Sequence, residues 1–271
     1  MKRANPLPRR TNPFFQWASV IAAIVLLAGC KKQSAEQPTT APEATAKETA
    51  PSAPVQRPLT PAAKAAHMRD HFTKAAVVNQ AILSGNLAAA KQAATWLVEH
   101  KDPAPPQTWN VEPLRLAARR VAEASNLTTA GAALGELAAT CGSCHVAMKT
   151  NIKFADELLV SGGTDIKERM RRHVWATKRF WEGLVIPSDE KWAGAAHLLH
   201  EKALRELPNV KDQAKLKAAQ QAAQSVHDLG KAALSTKDLA MRAQLYGQLA
   251  ATCAGCHKLI RPPKAELATI R

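Results

Sequence analysis

The sequence predicts an all-α protein in which two tandem four-helix bundles follow a signal peptide and a disordered linker. Alanine, leucine, lysine, glutamine and arginine dominate the chain beyond residue 60, and these residues favour helices. Apolar residues recur at spacings of three and four, as in Leu83, Leu87 and Ala90. A pattern of about a hundred residues then occurs twice, which matches ordinary domain size.

Residues 1–30 predict a lipoprotein signal peptide. Basic residues precede a mostly apolar stretch over residues 14–28, and small residues follow it, as in secretory leaders. The ending Leu27-Ala-Gly-Cys30 resembles the lipobox of bacterial lipoproteins, whose cysteine is lipidated and becomes the mature N-terminus. We therefore expect lipidation at Cys30 and export to a periplasm-facing, membrane-anchored position. An uncleaved membrane anchor is the alternative, although about fifteen apolar residues are few for a span.

Residues 31–60 predict a flexible tether. Proline, alanine, threonine and charged residues dominate this segment, which offers little apolar surface to bury. We expect it to hold the folded part away from the bilayer. Lys31 stands where an aspartate would favour retention at the inner membrane, so the outer membrane is slightly favoured by analogy with Gram-negative lipoproteins.

Residues 61–160 and 161–271 are the two copies of the repeat, predicted as two domains. A shift of 102 places Met68–His71 on Met170–His173, and a shift of 112 places Gly135–Cys141 on Gly247–Cys253. The ten additional residues of the second copy are expected in its links, around residues 207–210 and 234–237. A glycine break at residues 161–164 predicts the junction.

Breaks in the pattern divide each copy into four segments, as in an up-down bundle with short links. Proline, glycine, serine and asparagine mark these breaks, because they favour turns and helix ends. The last helix is expected to end before Pro262-Pro263. The internal breaks are Ser84–Asn86, Asp102–Pro106, Ser125–Asn126, Pro187–Asp189, Pro208–Asn209 and Ser235–Thr236.

Each copy carries one Cys-X-X-Cys-His segment, the attachment pattern of a c-type haem. Two thiols on one helical turn can reach the two vinyl groups of a porphyrin, and the histidine supplies the proximal nitrogen. A zinc site is one alternative, but neither segment has an obvious fourth ligand. A redox dithiol is another, but it normally lies where a strand meets a helix, and the sequence shows no strand pattern. We expect two covalently bound haems. Their residues are Cys141, Cys144 and proximal His145, then Cys253, Cys256 and proximal His257.

The position of these motifs resembles the class II c-type cytochromes, the cytochrome c-prime family. Only fourteen residues follow His257, too few for the downstream methionine of class I cytochromes. The resemblance implies a four-helix bundle that carries its haem motif on the last helix. It also implies that a sixth iron ligand, where one is present, comes from the first helix.

Candidate sixth ligands lie three residues apart on one helix face in each copy. We expect His71 and His173 to fill this role, since imidazole binds iron in both oxidation states and is costly on an apolar face without a partner. Met68 and Met170 are the alternatives, and the resemblance favours a methionine at about this place. Core packing is their other interpretation.

Other polar residues of the repeats carry weaker expectations. Arg69 and Arg171 recur and are candidates to pair with haem propionates, with exposed helix positions as the alternative. Five histidines have no counterpart in the other copy, and we expect them to be surface or ordinary structural residues. They are His67, His100, His197, His200 and His227.

The charge and the cofactors predict an electron carrier rather than an enzyme. Without the leader's four basic residues the chain keeps thirty-three Lys and Arg against twenty-two Asp and Glu, a net charge of +11. Such a basic surface favours a periplasmic or membrane redox partner with an acidic docking face, and nucleic acid is not expected. The alternatives are a protein that binds NO or CO at an open haem and, disfavoured by the similar ligand sets of the copies, a dihaem peroxidase.

Overall fold

The structure, a computed structural model, describes residues 60–100, 110–155, 165–201 and 210–260, and the regular secondary structure within them is helical. These ranges contain eight α-helices and no strand, so the all-α prediction is confirmed. The signal peptide with Cys30, the tether up to residue 59, the junction at 161–164 and residues 261–271 lie outside the described residues. None of the described helices is long and apolar enough to cross a membrane.

Each copy of the repeat contributes four helices, and the four predicted breaks within the described residues lie at helix ends. The predicted breaks Asp102–Pro106 and Pro208–Asn209 lie outside the described residues. The link between α1 and α2 is Ser84–Asn86, and that between α3 and α4 contains Ser125–Asn126. The helices are α1 (Pro61–Leu83), α2 (Leu87–Glu99), α3 (Glu112–Glu123), α4 (Leu127–Ala147), α5 (Ile166–Val185), α6 (Asp189–Glu201), α7 (Gln213–Ser235) and α8 (Leu239–Ile260).

Short polar side chains start most of these helices. They accept hydrogen bonds from amides of the first turn, which have no partner inside the helix. At α4 the bonding is reciprocal, because the Thr129 side chain accepts a hydrogen bond from the backbone N–H of the capping residue. The capping residues are Thr60 for α1, Asn86 for α2, Asn126 for α4, Asp165 for α5 and Asp212 for α7.

The ten additional residues of the second copy lie inside a helix, and our placement of them in the links was wrong. Helix α3 has 12 residues and α7 has 23, whereas the α3–α4 and α7–α8 links have the same length. At the shift of 112 the two helices end together, so α7 is extended at its N-terminal end. Alanine, lysine and glutamine in residues 214–223 favour this continuation of the helix.

Helices α4 and α8 form the most extensive helix–helix contact of the described chain. A Cβ on Gly131 would lie 2.6 Å from the Gly247 carbonyl oxygen, and one on Gly135 would lie 2.1 Å from that of Ala243. The two backbones therefore touch, which only residues without a side chain allow. Under the shift of 112, Gly135 corresponds to Gly247 and Gly131 to Ala243, so the two contacts are equivalent.

The first helix of each copy also contacts the last helix of the other copy. Helix α1 packs on α8 and α5 packs on α4, besides the consecutive packing of α1 to α4 and of α5 to α8. The Tyr246 hydroxyl on α8 donates to Asn79 Oδ1 on α1 at 2.7 Å, and burial raises the pKa of Tyr246, which stays protonated. All eight helices consequently belong to one compact unit, Val55–Arg271.

Replacing Gly135 by alanine should destabilise the protein by about 1–3 kcal/mol, because the new methyl meets backbone that cannot rotate away. Chemical unfolding in urea measures this change. Gly194→Ala is the matched control on α6, since its Cβ would have only one ordinary contact, 3.8 Å from Trp175. Alanine there should stabilise helix α6 slightly. Equal free energies of unfolding for the two variants would contradict the close contact of α4 and α8.

Candidate functional site

The two Cys-X-X-Cys-His segments lie in the C-terminal turns of α4 and α8. Cys141–His145 precedes the end of α4 by two residues, and Cys253–His257 precedes the end of α8 by three. Helical spacing places the two cysteines of each segment, at i and i+3, on one face. All four are free thiols, with Cys144 exposed and the others half-buried.

Each motif histidine is held by a backbone carbonyl of the other copy. His145 Nδ1 donates to the Val185 oxygen at 2.7 Å, and His257 Nδ1 donates to the Leu83 oxygen at 2.7 Å. A carbonyl only accepts, so Nδ1 carries the hydrogen and Nε2 keeps its lone pair. This is the tautomer that a metal-binding histidine uses, with its other nitrogen bonded to an oriented acceptor.

These carbonyls are available because they lie at helix ends. Leu83 is the last residue of α1 and Val185 the last of α5, where carbonyl groups have no partner within their own helix. Leu83 corresponds to Val185 at the shift of 102, so the two hydrogen bonds are equivalent. The helix C-terminus also carries partial negative charge, which favours an imidazole N–H pointing at it.

Close backbone contacts fix the same helix ends against the motifs. A Cβ on Gly142 would lie 2.2 Å from the Leu184 oxygen and 3.1 Å from the Pro187 side chain. At the other motif a Cβ on Gly85 would lie 3.2 Å from the Ala254 oxygen. Gly142 corresponds to Ala254 at the shift of 112, and Gly85 corresponds to Pro187 at the shift of 102. The glycine therefore belongs to the motif in the first contact and to the link after the opposing helix in the second. Each motif therefore packs closely against the end of a helix of the other copy.

In the first copy, both candidate ligands on α1 lie beside the motif. Met68 and His71 line one cavity together with Cys141, Cys144 and His145. His71 is 6% exposed and Met68 is half-buried. The arrangement brings together the groups that the sequence selected and leaves the choice between histidine and methionine open.

In the second copy, His173 interacts electrostatically with the motif histidine. Burial first, then the interactions with Arg172 and with His257, lowers the pKa of His173 to about 4. Its imidazole is therefore neutral at physiological pH and offers a lone pair. Met170, three residues earlier on α5, is half-buried.

The two arginines have different surroundings. Arg171 donates to the buried Glu168 carboxylate at 2.9 Å, and its own side chain is 64% exposed. Arg69 is exposed on α1. Their pairing with propionates stays a prediction.

Two of the five unmatched histidines, His67 and His100, lie beside His71 in a cluster that we did not predict from the sequence. His67 is 6% exposed and its ring centroid lies 4.3 Å from that of His71, with His100 5.4 Å from both. The four-residue spacing of His67 and His71, which puts both on one helix face, was the available signal. His200 and His227 stack at 5.0 Å, and His197 is exposed as expected.

The thiols are poor nucleophiles in this environment. Burial, with a smaller contribution from the neighbouring thiol, raises the pKa of Cys141 and of Cys253 to about 12. Burial also raises the pKa of Cys144 and of Cys256. A catalytic dithiol needs the opposite shift, so this environment disfavours that role.

No family model, curated protein or solved structure matches this chain. The chemistry of the site is therefore argued from its own residues. Each motif offers two thiols on one helical face and an imidazole that donates through Nδ1 to a backbone carbonyl.

Gly142→Ala should separate the end of α5 from α4 and weaken the His145–Val185 hydrogen bond. We expect the free energy of unfolding to fall by about 1–3 kcal/mol in urea titrations, since the methyl meets a backbone oxygen. Gly255→Ala, at the other intervening position of the second motif, is the control because its Cβ would meet nothing within 4 Å. A loss of the same size in both variants would refute the contact.

Alkylation of the reduced chain, with all four thiols free, should distinguish the cysteines of each motif. At pH 8.5 iodoacetamide should modify exposed Cys144 at least about tenfold faster than Cys141, because only the thiolate reacts and a pKa near 12 leaves little of it. The rate at Cys141 should rise with pH up to about 12. Mass spectrometry of the digested protein gives both rates, and equal rates in the folded chain would contradict the burial of Cys141.

Proposed function

We propose that the chain is an exported dihaem c-type cytochrome that carries single electrons and is not an enzyme. One observation carries this proposal: His145 and His257 each donate a hydrogen bond to a backbone carbonyl of the other copy. Both motif histidines are thereby oriented beside paired thiols with Nδ1 as the donor. His71 lines the cavity at the first motif, and His173 interacts electrostatically with His257 of the second.

The donor set suits covalent haem better than the other cofactors considered. Two thiols on one helical turn can add to the vinyl groups of one porphyrin, whereas a structural zinc site needs four ligands and each motif offers three. The cavity beside the first motif is lined on its α1 side by Phe72 and Ala75, which are suited to an apolar ring. The residues that would hold the two haems are Cys141, Cys144 and His145, and Cys253, Cys256 and His257.

Covalently held haem supplies a one-electron ferric–ferrous couple when it is bound. The protein's part would be to hold the motif imidazoles in fixed orientations. The Nδ1–H···O bonds to Val185 and Leu83 do so, and they raise the basicity of Nε2. Because each bond joins the two copies, the orientation of each ligand depends on the fold of the whole unit.

A sixth ligand from the first helix of each copy would suit electron transfer, because a filled shell changes little on reduction. We propose His71 and His173 for this role, supported by the neutral imidazole of His173 near His257 and by the position of His71 in the cavity. Met68 and Met170 are the alternatives. The consecutive packing of α1 to α4 and of α5 to α8 supports two tandem four-helix bundles with the motif on each last helix.

We propose that lipid on Cys30 anchors the protein to a membrane facing the periplasm, with the outer membrane slightly favoured. Cys30 itself lies outside the described residues, and its context in the leader supports this role. The net charge of +11 after leader cleavage supports a periplasmic or membrane redox partner with an acidic docking face.

Visible spectra of the purified chain test the proposal. We expect two haems per chain by pyridine haemochrome, low-spin bands in both oxidation states and no change with carbon monoxide, because every iron has two protein ligands. His173→Ala should then admit carbon monoxide at one haem of the two. Val174→Ala is the matched control, since this neighbouring side chain is 67% exposed.

Three other results would decide against parts of this function. Absence of haem would refute the cofactor. High-spin bands or a large carbon monoxide shift in the unsubstituted chain would refute the simple carrier and favour binding of a gas such as NO. An unchanged spectrum in His173→Ala, with carbon monoxide binding in Met170→Ala, would assign the sixth ligand to methionine.

A further inference from the structure

Three histidines meet at one end of the first copy. His67 and His71 lie one helical turn apart on α1, and His100 follows the last residue of α2. One ring nitrogen of each lies within 4.8 Å of the others. In the described chain no other group of three histidine, cysteine or acidic residues comes together in this way.

The packing of this cluster restricts its imidazoles. His67 and His71 are each 6% exposed, and Trp96 stacks on His100 with ring centroids 4.0 Å apart. The backbone of His100 is fixed as well, because its N–H donates to the Trp96 oxygen and its own oxygen accepts from Arg115. Two rings on α1 and one at the C-terminal cap of α2 thus converge.

The second copy lacks this cluster although its helices correspond. At the shift of 102, Arg169 stands in place of His67 and Lys202 in place of His100, and only His71 keeps a counterpart, His173. Two of the three positions thus carry cationic side chains, which bind no cation. The cluster is a property of the first copy alone, and packing common to both copies does not explain it.

We propose that His67, His71 and His100 form a binding site for one late first-row divalent transition-metal ion, such as Zn²⁺. Neutral imidazole is a preferred ligand of these ions. Nitrogen–zinc distances are about 2.0–2.1 Å, so small side-chain rotations must draw the three nitrogens together from their present separations. Three protein ligands leave a fourth tetrahedral position for solvent or another molecule.

This site goes beyond the proposed electron transfer and requires no haem. It shares His71 with the haem cavity, so a metal ion there competes with haem iron for the same side chain. Met68, on the same wall of the cavity, then remains as the sixth ligand of the first haem. The metal ion would thereby make the two haem sites unlike.

Zinc binding to the full chain tests the site. After treatment with EDTA and dialysis, isothermal titration with ZnCl₂ should show one tight site per chain, matched by zinc content from mass spectrometry. His67→Arg and His100→Lys, which copy the residues of the second copy, should each weaken binding at least about 100-fold, because each removes a direct ligand. Circular dichroism verifies that both variants fold.

His197→Ala is the control, because this exposed histidine lies outside the cluster and its loss should leave binding unchanged. No tight site in the unsubstituted chain, or undiminished affinity in the folded His67→Arg and His100→Lys variants, would overturn the inference. Loss of the site in His227→Ala would also overturn it, by assigning zinc to the stacked pair on α6 and α7. Haem content measured on the same samples separates this result from failure of the proposed cytochrome function.

Discussion

The contact between the backbones of α4 and α8 is the constraint on which the rest of the molecule depends. Because Gly131, Gly135 and Gly247 have no side chains, the two helices touch and their C-terminal ends are brought beside the first helices of the opposite copies. The motif histidines can then reach the carbonyls at those helix ends. Packing by small residues in the middle of the unit thus determines the hydrogen bonding of both candidate metal ligands.

The hydrogen bonds to Leu83 and Val185 make each site a joint product of both copies. Each copy supplies the thiols and imidazole of its own motif, and the other copy supplies the acceptor that orients the imidazole. Loosening of α1 therefore affects His257, and loosening of α5 affects His145. Stability and ligand geometry are coupled at these positions, so a substitution far from a motif can alter it.

Local features were predictable from the sequence, and contacts between the copies were not. Turn residues such as Ser84–Asn86 and Ser125–Asn126 act on neighbouring backbone, so they predicted the helix ends. The motif spacing likewise selected Cys141–His145, and repeat matching selected His71 and His173. The acceptors on Leu83 and Val185 are main-chain carbonyls, which every residue has, so no residue type reveals them. His67 was overlooked because comparison of the copies selects only residues that both copies share. The second copy has Arg169 at the position equivalent to His67.

The glycine contacts have a consequence for how such a chain can arise. Gly131 meets Gly247 as Gly135 meets Ala243, which is the pattern of an isologous dimer interface with approximate two-fold symmetry. Around the motifs the symmetry is broken: Pro187 faces Gly142, whereas its equivalent Gly85 faces Ala254. In a dimer of identical subunits, a single sequence would have to form both of these contacts. Covalent fusion of the halves removes that requirement and lets each half diverge separately.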